Sequence, residues 1–154
     1  EWSGVDNCER FAQGILTRHK IVGPIIQYGR GLGLKIKLNT NHEIWVWSLH
    51  LSYVNSGPDL DILKDPKTTV DWILKNERGR ASNIGSLINN YEFQQQIRNS
   101  TDVPVIVAGD FNTPSHLDWT EATKSRNHNF VVEFPATKLL TTAAGMTDSY
   151  REIH

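Results

Sequence analysis

The chain has only one cysteine, Cys8, among its 154 residues. A single thiol cannot form an intramolecular disulfide, and it cannot build a zinc site from pairs of cysteines. The sequence also lacks any apolar run near the roughly 18 residues that a membrane-spanning helix needs. It begins without a basic segment followed by an apolar stretch, so we expect no signal peptide in these residues and leave the localisation open.

An excess of charge of one sign is lacking as well. The formal net charge is −1, whereas proteins that grip nucleic acid non-specifically usually carry a basic surface. Nucleic acid is thereby disfavoured as a partner, but a local basic patch would still allow it. No G-x-S-x-G turn occurs in the sequence, which argues against an unrelated serine hydrolase of the α/β type.

The composition, 38% hydrophobic and 21% charged, is that of a folded globular domain, and the length predicts one domain over residues 1–154. Four stretches have strand patterns, the third of them central and the last of them buried: Gly14–Val22 (strand, turn, strand), Leu32–Leu38 (half-exposed), Glu43–Tyr53 and Val103–Ala108. Four have helical spacing, after a loop at Asn55–Pro66: Val70–Glu77, Ile84–Tyr91, Ser115–Lys124 and Thr137–Ala144, the last ended by Gly145. These patterns predict a layered mixed α/β or α+β domain.

Polar side chains stand where two of the predicted strands end. Alternate residues of a strand share a face, so Asp110 and Asn112 would point the same way if strand geometry continues through Asn112. His50 ends the apolar alternation of the earlier strand in the same manner. If the two strands are neighbours, the three side chains meet at one rim, above the small residues Ser48 and Ala108.

This trio suits the attack of water on a phosphate ester. An aspartate can accept a proton from water or bind a divalent cation, and an asparagine can hold a phosphoryl oxygen or the same cation without adding charge. A histidine exchanges protons near neutral pH. Two simpler interpretations stay open: Asp110 as a turn former, and His50 as a hydrogen-bonded core residue.

The stretch Gly109–Asn112, preceded by the strand Val105–Ala108, resembles the signature of the endonuclease/exonuclease/phosphatase superfamily. This superfamily of metal-dependent phosphoesterases includes pancreatic-type deoxyribonuclease, abasic-site endonucleases, neutral sphingomyelinases and inositol polyphosphate 5-phosphatases. Further stretches resemble its motifs in the same order, over nearly the whole chain: Gly14–Ile21, Trp47–Leu51 and Thr147–Arg151. The resemblance implies an α+β fold, a layered β-sandwich flanked by helices.

The resemblance also implies catalytic roles for four residues. Asp110 would position or deprotonate the attacking water, and Asn112 would orient the phosphate. Both would contribute to a magnesium or manganese site. His50 would contact the phosphate or act as general acid, and Asp148 would orient a partner histidine. Asp148 could instead be the N-cap of a helix that starts at Ser149.

Three family features are missing from this sequence, one of them an asparagine on the first strand. The main metal ligand of the family is a glutamate that ends an early strand, but Glu9 lies in a polar stretch. The family also ends in an Asp-His pair, and His154 is not preceded by aspartate. The resemblance therefore implies a partial domain that lacks its N-terminal part and its C-terminal tail, with flanking sequence completing it. The alternative is a non-catalytic binding or scaffold domain that keeps the fold without a complete metal site.

Three residues are candidates for substrate contact: Arg30, His116 and Trp119. Arg30 precedes a glycine-containing stretch and could instead be an exposed turn residue, and the other two could simply open a helix. No arginine follows closely after Asn112 as it does in the 5-phosphatase branch, which disfavours inositol phosphates. The sequence thus predicts a phosphate-ester substrate, with nucleic acid and phospholipid-type esters both open.

Overall fold

The computed structural model describes residues 2–7, 12–54 and 60–154, with residues 60 and 61 described by their backbone alone. The chain is α+β, as the sequence predicts. The strands are β1 (Ser3–Asp6), β2 (Gly14–Thr17), β3 (Lys20–Tyr28), β4 (Gly31–Lys37), β5 (Glu43–His50) and β6 (Val105–Asp110). The helices are α1 (Leu60–Lys64), α2 (Val70–Asn76), α3 (Arg78–Ile88), α4 (Tyr91–Arg98), α5 (Pro135–Thr142) and α6 (Ser149–Ile153), with a short 3₁₀ helix at Lys124–Arg126.

The chain divides into two compact units. The first comprises Glu1–Leu51 and Ser86–Asp110, and the second comprises Ser52–Gly85 and Phe111–His154. The chain leaves the first unit directly after β5 and again directly after β6. No helix in the described ranges combines the length and the apolar character that crossing a bilayer requires.

A four-stranded sheet in the order β3-β4-β5-β6 organises the first unit. Its first two pairings are antiparallel, whereas β5 and β6 run parallel. β5 lies between β4 and β6, which confirms the predicted central strand. The predicted strand-turn-strand at Gly14–Val22 is also confirmed, since β2 ends at Thr17 and β3 begins at Lys20.

The two faces of β4 are both covered along most of its length. Leu32, Leu34 and Ile36 are buried, as the alternation predicts. The opposite face is not open at Gly33, because a Cβ placed there would lie 2.7 Å from the Trp47 indole. The half-exposed prediction is wrong at this point because a neighbouring side chain fills the space above the glycine.

β6 is less buried than its apolar sequence predicts. It is the last strand in the order of the described sheet, and Ile106 is 48% exposed. The prediction of a buried strand is therefore wrong for this part of the structure. An apolar run predicts a strand, but it does not determine whether other elements cover both faces of that strand.

Helix boundaries differ from the predictions at one asparagine, Asn90, and at one serine, Ser115. The predicted helix Ile84–Tyr91 is interrupted, because the side chain of Asn90 accepts a hydrogen bond from the Phe93 N–H at 2.9 Å and starts α4. No helix starts at Ser115. Its hydroxyl instead accepts from the Leu117 N–H at 3.2 Å in a turn, which is a common alternative for serine.

The other helical predictions hold. α2 and α5 are confirmed, and Gly145 follows α5 with φ of +65°. Of the loop predicted at Asn55–Pro66, residues 55–59 lie outside the described ranges, and Leu60–Lys64 forms α1 instead. The helices of the second unit and its loops enclose one apolar cluster: Leu63, Ile73, Trp119, Val132 and Phe134.

Candidate active site

His50 and Asp110 are directly paired across β5 and β6. The parallel register places His50 opposite Asp110 and Ser48 opposite Ala108, and each strand ends at its polar residue. This confirms that the two strands are neighbours and that their carboxyl ends meet at one rim. In open sheets, ligands bind beyond the carboxyl ends of parallel strands.

The two side chains are close and open to solvent. The Nε2 atom of His50 lies 3.8 Å from the Oδ2 atom of Asp110, and the side chains are 26% and 61% exposed. This separation is too long for a direct hydrogen bond but suits an ion pair when the imidazole is protonated. A small ligand could therefore reach both groups from solvent.

The backbone fixes the position of this pair. The Leu51 N–H donates to the Asp110 carbonyl at 2.9 Å, and the His50 N–H donates to the Arg30 carbonyl at 3.2 Å. Arg30 occupies the turn between β3 and β4. The structure thus places the backbone of one predicted substrate contact next to His50, while contact of the Arg30 side chain with substrate stays a prediction.

Gly109, the residue before Asp110, has a backbone conformation that few other residues could adopt. Its φ is +135°, and a Cβ added to it would lie 2.1 Å from the Leu49 carbonyl oxygen. Only glycine adopts this conformation freely and leaves room for the neighbouring backbone. The glycine before the aspartate is therefore a structural requirement of the β5–β6 pairing.

Asn112 does not continue the strand. β6 ends at Asp110, and Asn112 has φ of +51°, in the left-handed region that asparagine tolerates better than most residues. The condition under which Asp110 and Asn112 would share a strand face is therefore not met. Asn112 belongs to the second unit, together with His116, Trp119 and Asp148.

Asp148 caps the last described helix. Its Oδ1 atom accepts hydrogen bonds from the backbone N–H groups of Tyr150, at 3.0 Å, and Arg151, at 3.2 Å. This is the N-cap arrangement that the sequence left open. A catalytic role for Asp148 stays a prediction, and its charge reaches one histidine of the second unit, His116, whose pKa it raises slightly against stronger opposing effects.

His116 is held by two threonines. Its Nδ1 atom lies 3.0 Å from Thr137 Oγ1, and its Nε2 atom lies 3.5 Å from Thr141 Oγ1. Partial burial lowers the pKa of His116 below 6.5, and the positive charge of Lys138 lowers it further. The carboxylates of Glu133 and Asp148 oppose this shift.

Replacing Lys138 by glutamine is expected to raise the pKa of His116, because one of the two causes of the depression is removed. An NMR titration of the His116 ring should show a midpoint below 6.5 in the wild type and a higher one in Lys138→Gln. Since the depressed pKa means that the unfolded chain binds this proton more readily, stability should fall as the pH drops below about 6.5. Lys124→Gln serves as control, and an equal midpoint in all three proteins would contradict the assignment.

Trp119 is a core residue of the second unit. It is 9% exposed and meets Phe134 edge-on, with ring centroids 5.2 Å apart. Burial and an aromatic partner account for this residue by packing. Its predicted role as a substrate contact has no support among the contacts of the described residues and stays a prediction.

A divalent cation would find few protein ligands in the described ranges. No group of three His, Cys, Asp or Glu side chains is placed there to hold a metal ion, and Glu9 lies outside them. Asp110 offers one accessible carboxylate. Magnesium often binds through only one or two carboxylates and keeps several waters, and a single accessible carboxylate fits that mode of binding.

Two buried charged residues were not predicted from the sequence. Glu77 and Arg80 are 1% and 0% exposed and form an ion pair within the second unit. The available signal was their spacing of three positions, which places them on the same side of a helix. Spacing of this kind is common on solvent-exposed helices, so it did not indicate burial.

One relative resembles nearly the whole chain. The Caenorhabditis elegans protein called "Uncharacterized protein F14F9.5" is 37% identical over 158 aligned positions, which cover 99% of this chain and 49% of the relative. The chain thus spans about half the length of this relative. No protein-family model and no solved structure matches the chain significantly.

Proposed function

We propose that the chain is a domain of the endonuclease/exonuclease/phosphatase type and hydrolyses a phosphate ester in the presence of a divalent metal ion. The observation that carries the proposal is the pairing of His50 with Asp110 at the carboxyl ends of two parallel strands. The Nε2 atom of His50 lies 3.8 Å from the Oδ2 atom of Asp110. The motif Gly109–Asn112 and its order among the other family-like stretches support the same function.

The chemistry assigned to the pair is an in-line displacement at phosphorus. The Asp110 carboxylate takes a proton from the attacking water as the new P–O bond forms, and the protonated His50 imidazole gives a proton to the leaving oxygen as the old bond breaks. The resemblance gives Asn112, two positions beyond Asp110, the task of orienting the phosphate. The resemblance assigns both residues to a magnesium or manganese ion, which would supply charge neutralisation when bound.

A phosphodiester is the more suitable substrate class. A monoester carries two negative charges near neutral pH, and the Asp110 carboxylate would repel it more strongly than a singly charged diester. The net charge of −1 gives no general attraction to polyanions. We therefore favour a small or phospholipid-type diester over duplex DNA.

The test is hydrolysis of bis-p-nitrophenyl phosphate by the purified chain with magnesium, with manganese and with a chelator. Manganese binding is followed in parallel by electron paramagnetic resonance, since it does not require turnover. Metal-dependent hydrolysis together with manganese binding is expected. If the folded chain neither hydrolyses the ester nor binds manganese, the catalytic proposal is wrong for these residues.

The second candidate is a non-catalytic binding or scaffold domain. It is favoured by the absence, in the described ranges, of a group of three acidic, histidine or cysteine side chains around a metal position. The capping role of Asp148 is consistent with it as well. A folded chain that binds a phosphodiester without hydrolysing it would support this alternative.

A further inference from the structure

A buried ion pair lies within the second unit. The Arg80 guanidinium donates to both carboxylate oxygens of Glu77, from Nη2 to Oε1 at 2.7 Å and from Nε to Oε2 at 2.9 Å. The two side chains are 0% and 1% exposed. This two-point geometry is the strongest form of a carboxylate–arginine contact, and burial removes it from screening by salt.

The pair binds chain segments far apart in the sequence. Arg80 Nη1 donates to the carbonyls of Ser52 and Val54, both at 3.2 Å, and Nη2 donates to the Asn76 carbonyl at 2.8 Å. Thr113 Oγ1 donates to Glu77 Oε2 at 2.7 Å. The guanidinium and the carboxylate thus hold both the segment that follows β5 and the segment that follows β6.

Stability alone does not account for this arrangement. Removing two charges from water is costly, and apolar residues of similar volume often stabilise a protein equally well. The pair also fixes the positions of its hydrogen-bond partners, because a planar guanidinium with several fixed donors determines where each carbonyl lies. The residues held in this way flank the predicted chemistry along the chain: Ser52 is two positions after His50, and Thr113 directly follows Asn112.

We infer that Glu77 and Arg80 are positioning residues that hold Asn112 in its left-handed conformation through the Thr113 hydroxyl. This inference rests on the proposed function, in which Asn112 orients the phosphate. Asn112 has φ of +51°, a conformation that asparagine tolerates better than most residues but that still costs energy, so a neighbouring contact favours its retention. The bond from Thr113 to Glu77 is such a contact, one residue away.

Replacing Thr113 by valine tests the inference with little change in volume. We expect Thr113→Val to remain folded and to lose roughly 10–100-fold in kcat on bis-p-nitrophenyl phosphate, with a small change in KM, since misplacement of a positioning group costs rate. Thr113→Ser keeps the hydroxyl and should retain most of the kcat. Equal kcat in the valine and serine variants would overturn the inference.

A second variant addresses the ion pair, with a matched control elsewhere. Glu77→Gln weakens the buried pair, whereas Glu121→Gln weakens the exposed pair of Glu121 with Lys124, which has the same spacing of three and the same 2.7 Å separation. We expect Glu77→Gln to lower kcat at a temperature where circular dichroism shows it folded, and Glu121→Gln to match the wild type. A folded Glu77→Gln with wild-type kcat would contradict the role.

NMR separates this inference from the proposed function, because it requires no turnover. The backbone and side-chain amide signals of Asn112 are expected to shift in Thr113→Val and Glu77→Gln and to stay unchanged in Glu121→Gln. Because a substitution at Thr113 shifts the adjacent amide by itself, the shift in Glu77→Gln is the informative one: in a chain that proves inactive, it would uphold the positioning and defeat the catalytic proposal alone. Unchanged Asn112 signals in both network variants would defeat the positioning, whatever the activity.

Discussion

Replacing Asp110 by alanine is expected to remove metal-dependent phosphodiester hydrolysis, by about 10²–10⁴-fold in kcat, while leaving the fold unchanged. The carboxylate is the proposed acceptor of the proton from water and a proposed ligand of the divalent cation. Its side chain is 61% exposed, so its removal opens no cavity. The Asp110 carbonyl, which accepts from the Leu51 N–H, is retained in the variant.

The control for charge is Asp102→Asn, because Asp102 is an exposed aspartate in the turn before β6. Turnover of bis-p-nitrophenyl phosphate is measured over a range of magnesium concentrations, and thermal unfolding is recorded for each protein. Asp110→Asn should behave like the alanine variant, since an amide cannot accept the proton. Wild-type turnover in Asp110→Ala would remove this residue from the mechanism.

Gly109→Ala is expected to destabilise the first unit by more than about 4 kcal/mol, and the protein would then fold poorly if at all. Two effects add at this position. The φ of +135° is one that alanine rarely adopts, and the new Cβ would lie 2.1 Å from the Leu49 carbonyl oxygen. The backbone of β5 cannot move aside without breaking the pairing of Leu49 with Gly109.

Gly145→Ala separates these two effects. Gly145 also has a positive φ, +65°, but no atom beyond its own chain neighbours lies within 4 Å of the position its Cβ would take. This variant should therefore show the conformational strain alone, about 1–2 kcal/mol. Urea unfolding of both variants gives the comparison, and a Gly109→Ala protein no less stable than Gly145→Ala would show that the strands are not packed as described.

The two variants at adjacent positions also distinguish function from fold. Asp110→Ala should lose activity with its stability intact, whereas Gly109→Ala should lose stability first. The family-like motif Gly109–Asn112 thus contains one residue that strand packing requires, Gly109, and two that are proposed to take part in hydrolysis, Asp110 and Asn112. The same reasoning applies to Asn112 and Thr113, where the hydroxyl of the second is proposed to hold the backbone of the first.

Local pattern in the sequence determined the elements whose signals lie within a few residues. The turn between β2 and β3, helix α2 and the end of α5 before Gly145 follow from spacing, capping and backbone preference. The apolar stretch that became β5 identified a central strand. Strand alternation, a local rule, also singled out His50 and Asp110 as polar strand ends. That β5 and β6 are neighbours, so that the two side chains meet, was a condition that only the tertiary structure met.

Only the tertiary structure decided features that depend on distant partners. The exposure of β6 depends on which strands lie beside it, and the closed face of β4 depends on the Trp47 indole. The left-handed turn at Asn112 ended the alternation that the sequence pattern extended, because backbone conformation after a strand is set by what the next segment must contact. The spacing of Glu77 and Arg80 did not reveal their burial, since a charged pair is stable in the interior only when remote carbonyls and hydroxyls satisfy it.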